Sequence, residues 1–109
     1  MDNSQPQVRW RVALEHPVGI NPFYAWVDEK TELMMIKDQN RLRAFRSLCP
    51  HMGARLEWHP KKKKIVCPWH GLSFSAENQG SLKGDHPNYQ KIQEYRAEQV
   101  NGFIEIYEN

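Results

Sequence analysis

The two cysteines of this chain each stand just before a histidine, in "CPHMGARL" (Cys49–Leu56) and "CPWHGL" (Cys67–Leu72). The first pair is C-x-H, the second is C-x-x-H, and fifteen residues separate His51 from Cys67. Thiolates and imidazoles are donors that transition metals take readily. Four of them on two short segments constrain the fold, because the rest of the chain must bring those segments to one point. A disulfide, a zinc site and an iron–sulfur centre all use cysteine, and the surroundings must decide among them.

Length and charge narrow the choice. A chain of 109 residues holds one core and is too short for two, so residues 1–109 are expected to form a single domain. The 39% hydrophobic and 26% charged fractions are those of a soluble globular protein. A formal net charge of +2 argues against a nucleic-acid binder. No apolar run is long enough to cross a membrane. The start, "MDNSQPQVRWRV", has neither an apolar h-region nor a small-residue cleavage site, so a cytoplasmic location is expected. Thiols stay reduced there, which favours a metal over a structural disulfide.

The chain reads as β throughout. "VRWRVAL" (Val8–Leu14) alternates as a half-buried strand does and ends at the Pro17, Gly19, Pro22 cluster. "FYAWV" (Phe23–Val27) is a short strand. "ELMMIKD" and "RLRAFRSL" flank Gln39–Asn40, a hairpin turn that lacks the usual glycine. "KKIVCP" runs into the second cysteine motif and "LSFSA" leaves it. "YQKIQEYRAEQV" and "FIEIYEN" flank Asn101–Gly102, which fits a type I′ turn. Six or more short strands with frequent turns predict an all-β antiparallel sandwich or barrel.

Both cysteine motifs therefore fall on loops at strand ends. Pro50 and Pro68 stiffen each loop just after its cysteine. Gly53 and Gly71 follow the histidines and leave backbone N–H groups free to approach a charged ligand. Taken together, C-x-H, fifteen residues, C-x-x-H, both glycines and Phe74 after "HG-x-x" resemble the Rieske [2Fe–2S] signature. "WRVAL" near the start and "NGFIEIY" near the end extend the resemblance over most of the chain.

The resemblance implies a Rieske-type antiparallel fold whose cluster-binding subdomain, about residues 46–76, is made by two loops. It implies that Cys49 and Cys67 bind one iron and His51 and His70 the other, with a [2Fe–2S] cluster as cofactor. A closed structural zinc site is the competing reading. Its common order is two cysteines then two histidines, whereas here they alternate. His16, His59 and His86 each precede a proline and read as solvated loop residues, His86 lying where Rieske domains often place a proline-containing loop. Lys61–Lys64 reads as a solvated hairpin tip, with docking to an acidic partner as the alternative. Trp10, Trp26 and Trp58 read as core or strand residues.

By the same resemblance the protein is a soluble electron carrier, not itself an enzyme, passing electrons from a reductase to a terminal oxygenase-type enzyme. Met52, Trp69 and Leu72 would form a small apolar docking patch at the tip. One alternative is the N-terminal Rieske domain of a ring-hydroxylating oxygenase, whose mononuclear iron site has no residues left to build it after Asn109. Another is a small subunit related to that of nitrite reductase, which lacks the four ligands. A respiratory-chain Rieske subunit is disfavoured: no second cysteine pair is present. The serine and tyrosine that such proteins carry after "HG" are here Leu72 and Phe74, which cannot donate to a sulfur. A low reduction potential follows from that loss.

Overall fold

The structure, a computed structural model, describes residues 7–14, 18–19, 21–49, 53–68, 73–77, 81–82 and 92–107. Its elements are β1 (Val8–Ala13), β2 (Phe23–Trp26), β3 (Glu32–Asp38), β4 (Arg41–Arg46), β5 (Glu57–His59), β6 (Lys64–Val66), β7 (Ser73–Ser75), β8 (Ser81–Leu82), β9 (Ile92–Tyr95), β10 (Ala97–Val100) and β11 (Phe103–Tyr107). The expected all-β class holds: the described residues contain no helix, and every strand pairing is antiparallel.

Three sheets stack as layers. The middle one has the order β2-β3-β4-β9-β8. Along β3, Leu33 and Met35 enter one core with Ile104 and Ile106 of the sheet β1-β11-β10. Met34 and Ile36 enter the other core with Trp58, Ile65 and Phe74 of the sheet β5-β6-β7. Both faces of β3 are therefore covered, and "ELMMI" is buried without alternation. An outer strand such as β11 has one buried face, and "FIEIY" alternates accordingly.

Turn chemistry fixes the hairpins. Asn101 (φ 50°) and Gly102 (φ 82°) both lie in the left-handed region, as a type I′ turn requires. Gln39 (φ 52°) and Asn40 (φ 65°) do the same without a glycine. The pairing of Asp38 with Arg41 holds this tight turn closed.

One strand was not foreseen, and one expectation needs correction. "EWH" forms a strand, β5, that period-two reading of three residues beside Pro60 did not suggest. The single strand expected over residues 89–100 breaks at Arg96, so β9 belongs to the middle sheet and β10 to the outer one. Ile92 serves one core and Tyr95 the other, as the two covered faces of a middle-sheet strand do.

Candidate metal centre

Register places the two cysteine loops side by side. Glu57 pairs with Val66, and Val66 with Ser73. The start of β5, the end of β6 and the start of β7 thus share one end of the outer sheet. The Cys49 loop runs into β5 there, and Cys67 leaves β6 there. Cys49 and Cys67 form no disulfide and are buried, at 2% and 0% exposure, in the core that holds Leu56 and Phe74.

The Cys49 loop is closed by its own backbone. The Cys49 N–H donates to the Ala54 carbonyl (2.7 Å), and the Gly53 N–H donates to the Cys49 carbonyl (2.8 Å). Below them, Leu48 bridges Arg55 and the Leu56 N–H donates to the Ser47 carbonyl (2.7 Å). Gly53 sits at φ +74°, and a Cβ added there would meet nothing within 4 Å. The glycine is demanded by its dihedral, and its N–H, expected to be left for a charged ligand, is taken by the Cys49 carbonyl.

His51, His70, Met52, Trp69 and Leu72 lie outside the described residues, as do His16 and His86. The structure brings together the two described members of the expected set, Cys49 and Cys67; His51 and His70 follow them by two and three positions in the chain. His59 sits on the outward face of β5, with Nε2 3.7 Å from Glu57 Oε1. Phe74 points inward, 1% exposed, while Ser73 and Ser75 alternate away from it. The lysine run lies at the opposite end of the sheet from the cysteine loops, in the turn after His59 and the first residue of β6. Lys61 and Lys62 line a surface hollow of about 350 Å³ there, with Trp58, His59 and Pro60.

Two polar clasps join this layer to the middle sheet, and sequence reading missed both. At the cysteine-loop end, the buried Glu32 carboxylate accepts from Ser47 Oγ (2.7 Å) and from Arg55 Nη2 (2.7 Å). At the far end, buried Arg43 donates to Glu94, to Asp38 and to the Ala76 carbonyl just beyond β7. Asp38 also lies 3.6 Å from Lys63 Nζ. The available signal was one charge on the inward phase of each strand: Glu32 with Met34 and Ile36, Arg43 with Phe45.

Tyr24 adds a third tie, its hydroxyl donating to the Leu56 carbonyl at 2.8 Å. Burial pushes its phenol pKa up, and the positive charge of Arg55 only partly opposes that. Trp58 is buried, and its Nε1–H has no acceptor among the described residues. Trp10 packs edge-to-face on Tyr95 with ring centroids 5.4 Å apart. Trp26, expected as a core or strand residue, is on a strand but 58% exposed, at the end of edge strand β2.

The donor set fits an iron–sulfur centre. Two cysteines that form no disulfide are buried in one core at the roots of two adjacent loops, and each is followed in sequence by a histidine.

The fold is shared with known proteins. The ferredoxin of carbazole 1,9a-dioxygenase from Nocardioides aromaticivorans IC177 superposes with a TM-score of 0.68 at 21% identity, over 97% of this chain and 100% of that one. The Sphingomonas yanoikuyae B1 ferredoxin gives 0.70 at 19% identity, over 94% and 100%. The complex of reduced oxygenase and oxidized ferredoxin in carbazole 1,9a-dioxygenase gives 0.65 at 15% identity, over 94% and 99%. No curated protein matches the chain in sequence. No helix among the described residues is long and apolar enough to cross a membrane. The Rieske [2Fe-2S] domain matches residues 20–96, and the chain belongs to that family.

Proposed function

We propose that this protein is a one-electron carrier that takes electrons from a reductase and delivers them to a terminal oxygenase-type enzyme. The carrying observation is the shared burial of Cys49 and Cys67 at one end of the β5-β6-β7 sheet, inside the span that matches the family. The chain also aligns with the ferredoxins above over their whole length or nearly so. That coverage favours a carrier over a domain of a larger enzyme.

The ligand-bearing part runs from about residue 46 to residue 76, within a single domain. Cys49 and Cys67 would hold one iron and His51 and His70 the other. A Rieske centre supplies reversible gain and loss of one electron. The protein's own work is to anchor the loops, to bury the thiolate side away from water, and to present the histidine side to a partner. Met52, Trp69 and Leu72, which flank the two histidines in sequence, would make the apolar docking patch.

Iron and acid-labile sulfide determination on the purified protein tests the reading, together with a potentiometric titration. Two irons, two sulfides and a one-electron wave are expected, with a low average g in the EPR spectrum of the reduced protein. Cys49→Ser, Cys67→Ser, His51→Ala and His70→Ala should each lose the visible spectrum, and His16→Ala, His59→Ala and His86→Ala should keep it. One zinc and no sulfide would overturn the reading.

A further inference from the structure

At the ligand-loop end, the face of β3 toward the cysteine layer carries the carboxylate of Glu32, whose side chain is 2% exposed. Oε1 accepts from Ser47 Oγ at 2.7 Å and from Arg55 Nε at 3.1 Å, and Oε2 accepts from Arg55 Nη2 at 2.7 Å. Ser47 stands two residues before Cys49. Arg55 directly follows Ala54, whose carbonyl closes the loop. One carboxylate therefore grips both stems of the Cys49 loop. The Arg55 guanidinium also lies over the Tyr24 ring, 4.5 Å from its centroid, while its side chain remains 55% exposed.

We propose that Glu32 and Arg55 act as a charge-compensated clasp that positions the Cys49 loop and tunes the reduction potential of the centre. This rests on the electron-carrier reading. Glu32 and Arg55 both attach at the loop's stems, and Glu32 sits in a region from which water is excluded, where charge acts strongly. Together the two charges nearly cancel at the centre. Removing one unmasks the other. An uncompensated carboxylate opposes the incoming electron, and an uncompensated guanidinium favours it. Arg55 is the more screened of the two because it is half in solvent.

A clasp that only held the loop would behave differently. Loosening it from either side would disturb the centre in the same way, so both variants would move the potential in one direction. Opposite signs are the mark of charge.

The test uses the protein as purified, with Arg55→Gln, Arg55→Lys, Glu32→Gln and the double variant Glu32→Gln/Arg55→Gln. Two quantities are read: the midpoint potential by film voltammetry, and stability by urea unfolding. Arg55→Gln should lower the potential and Glu32→Gln should raise it. Each should change the reduced-to-oxidised ratio at the wild-type midpoint by about threefold, or about 28 mV at 59 mV per tenfold for one electron. The double variant should fall between the singles, and Arg55→Lys should stay closer to wild type than Arg55→Gln. In unfolding, the double variant should cost less than the sum of the singles. Shifts of the same sign in both singles, no shift in either, or additive unfolding costs would overturn the clasp. If Glu32→Gln does not fold, the contrast between Arg55→Gln and Arg55→Lys decides the charge effect. A wild type without iron and sulfide would defeat the electron-carrier reading, and the unfolding arm would still decide whether the clasp exists.

Discussion

Arg43 Nε and Nη2 each lie 2.9 Å from one oxygen of the Glu94 carboxylate, joining neighbouring strands β4 and β9 by a two-pronged ion pair almost closed to solvent. The third nitrogen, Nη1, donates to the Ala76 carbonyl at 2.5 Å and to Asp38 Oδ2 at 3.2 Å. A planar fork suits this geometry, and a lysine could not reproduce it. The pair spans 51 positions of sequence and also holds the end of β7. Truncating one partner strips a buried charge of its two-pronged counterpart, which costs about 3–5 kcal/mol. Arg43→Met and Glu94→Ala should each destabilise by that amount in urea unfolding. The double variant should cost clearly less than their sum.

Trp58 presents the opposite case. Its indole N–H is buried without an acceptor among the described residues, and an unmet donor costs about 1–3 kcal/mol. Trp58→Phe removes that donor and leaves a small void, two effects of opposite sign. The variant should stay within about 1 kcal/mol of wild type. Phe74→Ala in the same core should cost about 3–5 kcal/mol. Thermal unfolding of the two variants side by side checks the contrast.

Tyr24 predicts an alkaline effect. Its raised pKa means that the fold favours the neutral phenol. The stability it contributes is fully present below the unfolded value near 10 and is lost as pH rises through the folded value. Tyr24→Phe should cost about 0.5–1.5 kcal/mol at neutral pH, the worth of its bond to the Leu56 carbonyl. Above about pH 10 the gap between wild type and Tyr24→Phe should narrow. Urea unfolding at a series of pH values measures it.

Phe74 predicts the potential. A hydrogen bond to a cluster sulfur stabilises the reduced form, and neither Leu72 nor Phe74 can donate one. Ser73 carries a hydroxyl, but it alternates away from the inward-facing Phe74. The wild-type potential should lie near the low end of the Rieske range, roughly −150 to −50 mV. Phe74→Tyr and Leu72→Ser should each raise it by tens of millivolts, because about 1 kcal/mol corresponds to roughly 40 mV for one electron. Film voltammetry on the three proteins tests this, and a wild-type value above about +100 mV would defeat the argument.

Local signals carried much of this architecture. The alternation in "FIEIY" and the Asn101–Gly102 pair were readable because a one-faced strand and a type I′ turn leave direct traces in sequence. The cysteine loops were readable because their spacing is chemistry. Layer membership was not. The residues of β9 and β10 follow one another with strand-forming side chains on both sides of Arg96, and only packing reveals that the chain changes sheets there. Glu32 and Arg43 were hidden for a related reason. Apart from Asp38, five positions from Arg43, their side-chain partners lie 15 to 51 residues away, so no local pattern marks an inward-pointing charge as satisfied. Trp26 is on a strand, as one of its two readings has it, but at the end of edge strand β2 its ring is 58% exposed, and no local pattern tells strand from core.

The layer that bears the cysteines is pinned to the middle sheet at both ends, by Glu32 beside the loops and by Arg43 at the far turn. A centre that repeatedly changes charge by one unit pulls on every dipole and side chain near it. In a pliant matrix those groups would reorient with each transfer, and the energy of that rearrangement would slow the next. Groups already fixed by ion pairs have little room to reorient, and preorganised dipoles of this kind cost no rearrangement when the charge arrives. The double fastening thus bears on kinetics as well as on stability: groups held by these ion pairs would have less to rearrange each time the charge changes.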